Sequence, residues 1–314
     1  MDKLGDNTGC EGRKSPMTDK KMLFIIGNPR SGTSLLRIML TNHSLVCIPP
    51  ECGFIQWWHG KYGDWSAKDS RNPARIKDYI DDLRTSRKIE TWQLDFASLY
   101  ERIEQERPEQ YPSLCKIVIG HYAESHGRQV ALVGDKNNYY VRHLDLLVRI
   151  FPDARFLCLI RDGRDVACSY KALKNVRSSS KYRPELPSDT SAIARQWTRN
   201  NENIVEKIRQ EAAVSSKVIR FEDLVTDTSK TLTEVCDWLE IDLESRMLRY
   251  AESENGTNDE PGEFLAWKKK TLRKPDPSSI GKFRSLLSEA EVRQFELIAG
   301  KTLQKFDYPT ETIG

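Results

Sequence analysis

Hydrophobic positions along this chain gather into short unbroken runs, separated by longer stretches in which apolar residues recur at helical spacing. Met22–Ile26 (MLFII) is the first run, and an apolar block of that length ending at a glycine turn is the pattern of a strand buried on both faces. Val130–Val133 (VALV), Arg155–Ile160 (RFLCLI) and Lys217–Phe221 (KVIRF) repeat the pattern. Between and after them the spacing predicts helices over Thr33–Leu40, Tyr140–Ile150, a segment reaching about Leu173, Ile193–Glu211, Ser229–Leu239 and Glu289–Lys305. Residues 54–125 carry tryptophan, tyrosine and charge, with helical stretches at Pro73–Arg84 and Phe96–Glu106, and are expected to form a helical insertion or cap. Strands alternating with helices imply an α/β class with a mostly parallel central sheet and helices on both faces. The expected organisation is a disordered leader over 1–21 and a single domain over 22–314, with 255–284 as a lid-like loop.

Composition narrows the function. Among 314 residues, 49 basic side chains face 46 acidic ones, a net charge of +3, which excludes a bulk nucleic-acid binder but leaves room for local basic clusters around a small polyanion. The seven cysteines are dispersed, without CxxC pairs or zinc-type spacing to histidine, so reduced thiols and no metal are expected. No run is long enough for a membrane span and the N-terminus lacks a signal-type apolar stretch, which sets the cytoplasm as the expected location.

Two turns carry candidate chemistry. Gly27-Asn-Pro-Arg-Ser-Gly32-Thr33-Ser34 has P-loop spacing between a strand and a helix, where backbone N–H groups and a helix N-terminus cradle anions. The fold expected is therefore P-loop-type with three layers. The lysine position of a nucleotide hydrolase holds Thr33, and Arg30 supplies positive charge instead, with Ser31, Gly32, Thr33 and Ser34 as partners. Arg161-Asp-Gly-Arg-Asp165 follows another buried strand, with Ser169 in the next helix. Alone it reads as a turn laced with surface ion pairs; beside the first loop it becomes a second anion site at strand carboxyl ends.

Together IGNPRSGTSLLRIML and FLCLIRDGRDVACSY resemble, in order and spacing, the two cofactor motifs of the sulfotransferase family, and RSGTSLLRIMLTNHSLVCIPPE is similar to the protein-tyrosine sulfotransferase type. The resemblance implies 3′-phosphoadenosine 5′-phosphosulfate (PAPS) as donor and 3′,5′-adenosine bisphosphate (PAP) as product. It implies that Arg30 to Ser34 hold the 5′-phosphosulfate, that Arg161 and Ser169 hold the 3′-phosphate, and that Lys274 lies over the cofactor. It places Glu51 as the general base, a task that suits a carboxylate if burial raises its pKa toward the working pH, and Lys136 of GDKNN as a general acid or electrostatic clamp on the bridging oxygen or the transferring group. His43 and His143 are alternative bases. The tyrosine enzymes carry arginines after the base where this chain has Gly53 and Trp57, so a less charged acceptor of the kind used by bacterial members is expected. The acceptor is a hydroxyl on a carbohydrate, phenol, lipid or peptide tyrosine, and a homodimer is compatible with the sequence. The competing readings are a P-loop kinase for a small metabolite and a non-catalytic nucleotide-binding module.

Overall fold

A computed structural model describes residues 16–177, 180–210, 215–252 and 260–311. Residues 1–15 of the expected leader and the start of the expected lid loop lie outside them. Packing begins before residue 22: Met17–Asp19 forms a 3-10 turn in which Met17 is buried against Gly120, so the leader boundary at 21 is too late. The Met17 amide donates to Glu106 Oε2 at 2.9 Å, which anchors this end.

Five strands form one parallel sheet in the order β2-β3-β1-β4-β5, comprising β1 (Lys21–Gly27), β2 (Val46–Cys47), β3 (Leu132–Lys136), β4 (Arg155–Ile160) and β5 (Ser215–Arg220). Along β1 the even positions Met22, Phe24 and Ile26 face one core and the odd positions Leu23 and Ile25 face the other. Both faces are covered, which is why the strand reads as an unbroken apolar run. On one side pack the insertion helices α2 (Phe54–Tyr62), α3 (Pro73–Arg84), α4 (Phe96–Glu106) and α5 (Tyr111–Ser125), with α6 (Leu144–Ile150). On the other pack α1 (Thr33–Thr41), α9 (Phe221–Thr226), α10 (Thr228–Leu239) and α11 (Ser245–Leu248). A third cluster joins α7 (Gly163–Lys174), α8 (Thr190–Gln210), α13 (Phe283–Leu286) and α14 (Glu289–Lys305), while α12 (Leu265–Lys268) lies in the segment leading to it.

Two strands differ from the sequence expectation. β3 extends to Lys136, past the point where apolar residues stop, because Gly134, Asp135 and Lys136 keep their pairing with Leu23, Phe24 and Ile25. β2 is only two residues long, too short for a sequence pattern, yet its pairing with Leu132 and Val133 aims residues 48–51 at the carboxyl end of the sheet. Asn72 and Asp95 cap α3 and α4, and Ser288 with Glu291 forms a capping box on α14. Cys47, Cys52, Cys115, Cys158, Cys168 and Cys236 are buried thiols. Among the described residues no helix is long and apolar enough to cross a membrane.

The start of α7 lies so close to α8 and α14 that a Cβ on Gly163 would stand 2.5 Å from Phe295 Cζ and 2.7 Å from Trp197 Cδ2. Gly163→Ala is therefore expected to destabilise the fold by about 1–3 kcal/mol through overpacking, read as a lower urea midpoint at unchanged slope.

Candidate active site

The carboxyl ends of β1, β3 and β4 deliver the phosphate loop, Lys136 and Arg161 to one crevice, the place where open α/β sheets bind ligands. The loop after β1 is fixed from behind. Asn28 is fully buried, donates to Tyr170 Oη at 3.1 Å and accepts from Asn200 Nδ2 at 2.7 Å. Gly32, at φ 100, precedes α1 without a capping side chain, so the first-turn N–H groups of that helix point out of a bare end. A Cβ at Gly32 would stand 2.5 Å from Phe221 Cδ2, and the Arg161 guanidinium lies 4.3 Å from the centroid of that same ring. Phe221 thus wedges the two anion loops together, a role the sequence hid by making it look like the end of a strand.

Arg30 adopts the left-handed conformation, φ 69, which throws its side chain away from its own loop. Nε donates to Ser169 Oγ at 3.0 Å and Nη1 to the Trp267 carbonyl at 3.1 Å, while Arg161 Nη1 donates to the Arg30 carbonyl at 3.2 Å. Arg30, Arg161 and Ser169 therefore form one cluster. Burial, then the neighbouring Arg161 charge, brings the Arg30 pKa down to about 10. Lys282 adds charge here: burial lowers its pKa, and Lys270 and Arg161 lower it further. Ser31 Oγ and Arg161 Nε are buried without a hydrogen-bond partner. Buried polar atoms left this way are costly, and an acceptor group of an anionic ligand at each would satisfy them. Thr33 Oγ1 donates to Asn138 Oδ1 at 3.3 Å, and Ser34 occupies the first turn of α1, half-buried.

At the other end, Glu51 Oε2 accepts from Lys136 Nζ at 2.6 Å and Oε1 from Lys88 Nζ at 2.7 Å. All three side chains are largely buried. The condition of a Glu51 pKa raised by burial is not met in this arrangement. Burial does push it up, but the charges of Lys136, Lys88 and Lys268 and the Lys136 hydrogen bond outweigh burial and hold it well below the ordinary carboxylate value. Glu51 is a fully ionised carboxylate clamped between two ammonium groups. Behind Lys136, Asp135 points to Tyr140, which donates to its Oδ2, and burial raises the Asp135 carboxyl to about 7.

Lys88, Lys268 and Phe221 were not singled out as site residues from sequence. Lys88 comes from the insertion in a left-handed conformation, φ 75, and no local pattern announces it. Lys274 is not brought to the crevice: its side chain is 71% exposed and paired with Glu252, whereas Lys268 of the same basic run points inward. His43 is buried with Nε2 against the Asp242 carbonyl at 2.8 Å and Nδ1 accepting from the Leu45 amide, and His143 stands just before α6 without a capping hydrogen bond from its side chain; neither histidine joins Glu51. Trp58 and Trp65 bond to Ser86 and Ser70 as packing groups, while Trp57, 43% exposed, lies over Gly53, two residues after Glu51. Among the described residues no group of histidine, cysteine and carboxylate side chains could hold a metal.

Residues 23–245 match the sulfotransferase family. Protein-tyrosine sulfotransferase 1 of Danio rerio is 26% identical over 237 residues, 74% of this chain and 57% of that protein. The chain spans between about a third and just over half the length of the protein-tyrosine sulfotransferase 1 relatives it matches. The sulfotransferase domain from the Synechococcus PCC 7002 olefin synthase superposes with a TM-score of 0.64 at 22% identity, covering 96% of this chain and 98% of that one. Mouse sulfotransferase SULT7A1, complexed with PAP, superposes with a TM-score of 0.50 at 11% identity over 91% and 85% of the two chains. Both likenesses establish the fold. The family match takes in the phosphate loop, Glu51, Lys136 and the Arg161–Ser169 pair, and the chain belongs to the sulfotransferase family.

Proposed function

We propose that this protein transfers the sulfuryl group of PAPS to a hydroxyl acceptor, with Glu51 as general base. The observation that carries the reading is the meeting, in one crevice, of the Arg30–Arg161–Ser169 cluster and the Lys136–Glu51 pair. A family relative in fold is complexed with PAP, which supports the donor. The residues fit such a ligand: the uncapped start of α1, the unpartnered Ser31 hydroxyl and Arg161 Nε, and the basic groups around them suit a nucleotide bearing separate phosphate charges. Ser31 to Ser34 and the loop N–H groups would hold the 5′ end, and Arg30, Arg161 and Ser169 the 3′-phosphate side. The Arg30 assignment follows its side chain rather than its loop.

The bound donor supplies an activated sulfuryl group, and the protein's part is positioning and charge. Glu51 cannot accept a proton readily while both oxygens are held by ammonium groups. Release of Lys136 toward the transferring group removes one of those charges and raises the proton affinity of Glu51 as the acceptor hydroxyl arrives. Lys88 keeps the carboxylate oriented meanwhile. Lys136 stabilises negative charge that grows on the leaving oxygen. The Thr33 position, without the lysine of nucleotide hydrolases, disfavours ATP as the alternative donor.

The decisive experiment supplies labelled PAPS, or labelled ATP with magnesium, to a panel of carbohydrate, phenol, lipid and tyrosine-peptide acceptors and reads product mass. A sulfate increment is expected; phosphate transfer, or neither, rejects the reading. Arg30→Ala and Arg161→Ala are each expected to weaken PAP binding about 10- to 100-fold by calorimetry, the worth of a charge-assisted contact. Glu51→Gln should bind PAP as the parent does and lose about 100-fold or more in turnover. Because the native Glu51 pKa is depressed, its stabilising contribution is complete above the ordinary carboxylate value and disappears as pH falls through the native value. Glu51→Gln should therefore cost about 3 kcal/mol of stability near neutral pH, and urea midpoints of the two proteins should draw together as pH falls from the ordinary carboxylate value toward the lower native one.

A further inference from the structure

Lys268 opens a basic run that reads as solvated charge, yet its side chain is 11% exposed and bonded to Glu260, whose own side chain is wholly buried. The other Glu260 oxygen accepts from Arg37 Nη2 at 2.9 Å, and Arg37, 1% exposed, is anchored within α1 by donation to the Ile48 carbonyl at 2.9 Å. Glu260 thus has two cations where one would neutralise it. Arg37 is rigidly held, whereas Lys268 sits at the end of the four-residue helix α12.

The Phe264 ring links this group to the base. Lys268 Nζ stands 4.9 Å from its centroid, and Lys88 Nζ, bonded to Glu51, stands 5.3 Å from it. Two buried carboxylates, Glu51 and Glu260, are therefore surrounded by four cations, Lys88, Lys136, Lys268 and Arg37, an excess of two positive charges. Asp135 stands behind Lys136 but is turned to Tyr140. Burial, followed by the Lys136 charge among the opposing effects of Glu260 and Glu51, lowers the Lys268 pKa to about 8. Excess charge in so dry a place is costly unless an anion enters it, and a phosphosulfate linkage carries two negative charges.

We infer that Lys268 is a second catalytic cation, which leaves Glu260 to Arg37 when the donor binds and donates to an outer oxygen of the transferring sulfuryl group. The inference rests on the sulfuryl-transfer reading. In the step it serves, the acceptor oxygen–sulfur bond forms and the bond from sulfur to the bridging oxygen breaks. The electron pair stays on that oxygen of the 5′-phosphate, the hydroxyl proton passes to Glu51, and Lys268 keeps its proton throughout. Glu260 remains paired because Arg37 does not move.

PAP lacks the sulfuryl group and PAPS has it, so the two ligands separate this role from a structural one. Calorimetry without acceptor on the full chain is expected to give PAP affinities within about twofold for the parent, Lys268→Met and Lys268→Arg. PAPS affinity should fall about tenfold in Lys268→Met and return largely in Lys268→Arg. Turnover should drop about 100-fold in Lys268→Met, and the loss of parent activity above about pH 8 should vanish in Lys268→Arg, whose charge persists. Unchanged PAPS affinity and turnover in Lys268→Met overturns the inference while leaving sulfuryl transfer intact. Equal loss of PAP and PAPS affinity also overturns it, because Lys268 is then only a structural partner of Glu260. A parent protein that binds neither ligand overturns the underlying reading as well.

Discussion

The ion pair between Glu51 and Lys136 is the constraint around which the crevice is arranged. Its partners are separated by 85 positions, and between them runs the whole helical insertion. β2 and β3 pair in parallel, so the chain leaving β2 and the last residue of β3 arrive at the same end of the sheet. Lys136 is 1% exposed and Glu51 9%, so each charge depends on the other to offset the cost of its burial.

The insertion does more than cover a face of the sheet. It delivers Lys88, in a left-handed turn, to the second oxygen of Glu51, and its aromatic interior of Tyr62, Tyr79 and Trp92 keeps that turn on a rigid base. Trp92 Nε1 donates to the Pro50 carbonyl at 2.8 Å, tying the insertion to the residue just before Glu51. Packing in the insertion and the placement of Glu51 are therefore linked through this backbone contact and the Lys88 ion pair.

What the sequence disclosed and what it concealed divide along sequence distance. The strands at Met22, Arg155 and Lys217, the helices of the insertion, α14 and the two anion loops are local patterns, carried by apolar runs, helical spacing and glycine turns. β2 escaped because two residues make no pattern, and β3 was placed early because its last residues are polar while their pairing continues. Lys88, Glu260 and Lys268 were illegible as site residues: each acquires its character from a partner far along the chain, and a lysine in a basic run looks the same whether it faces water or a buried carboxylate. Lys274 shows the converse. A motif match placed it over the cofactor, while an acidic neighbour, Glu252, holds it at the surface.

The segment from 260 to 283 is moored at both feet. Glu260 is locked to Arg37, and at the far end the Asp165 carboxylate accepts from the amides of Gly281 at 2.7 Å and Phe283 at 3.0 Å. Consecutive residues midway, Trp267 and Lys268, reach opposite halves of the crevice, one through its carbonyl to Arg30 and the other through its ammonium to Glu260. A strap fastened in this way has already surrendered most of the freedom that a loose loop would lose on settling over a guest. The two halves of the crevice are thus held by neighbouring residues of one short stretch of backbone.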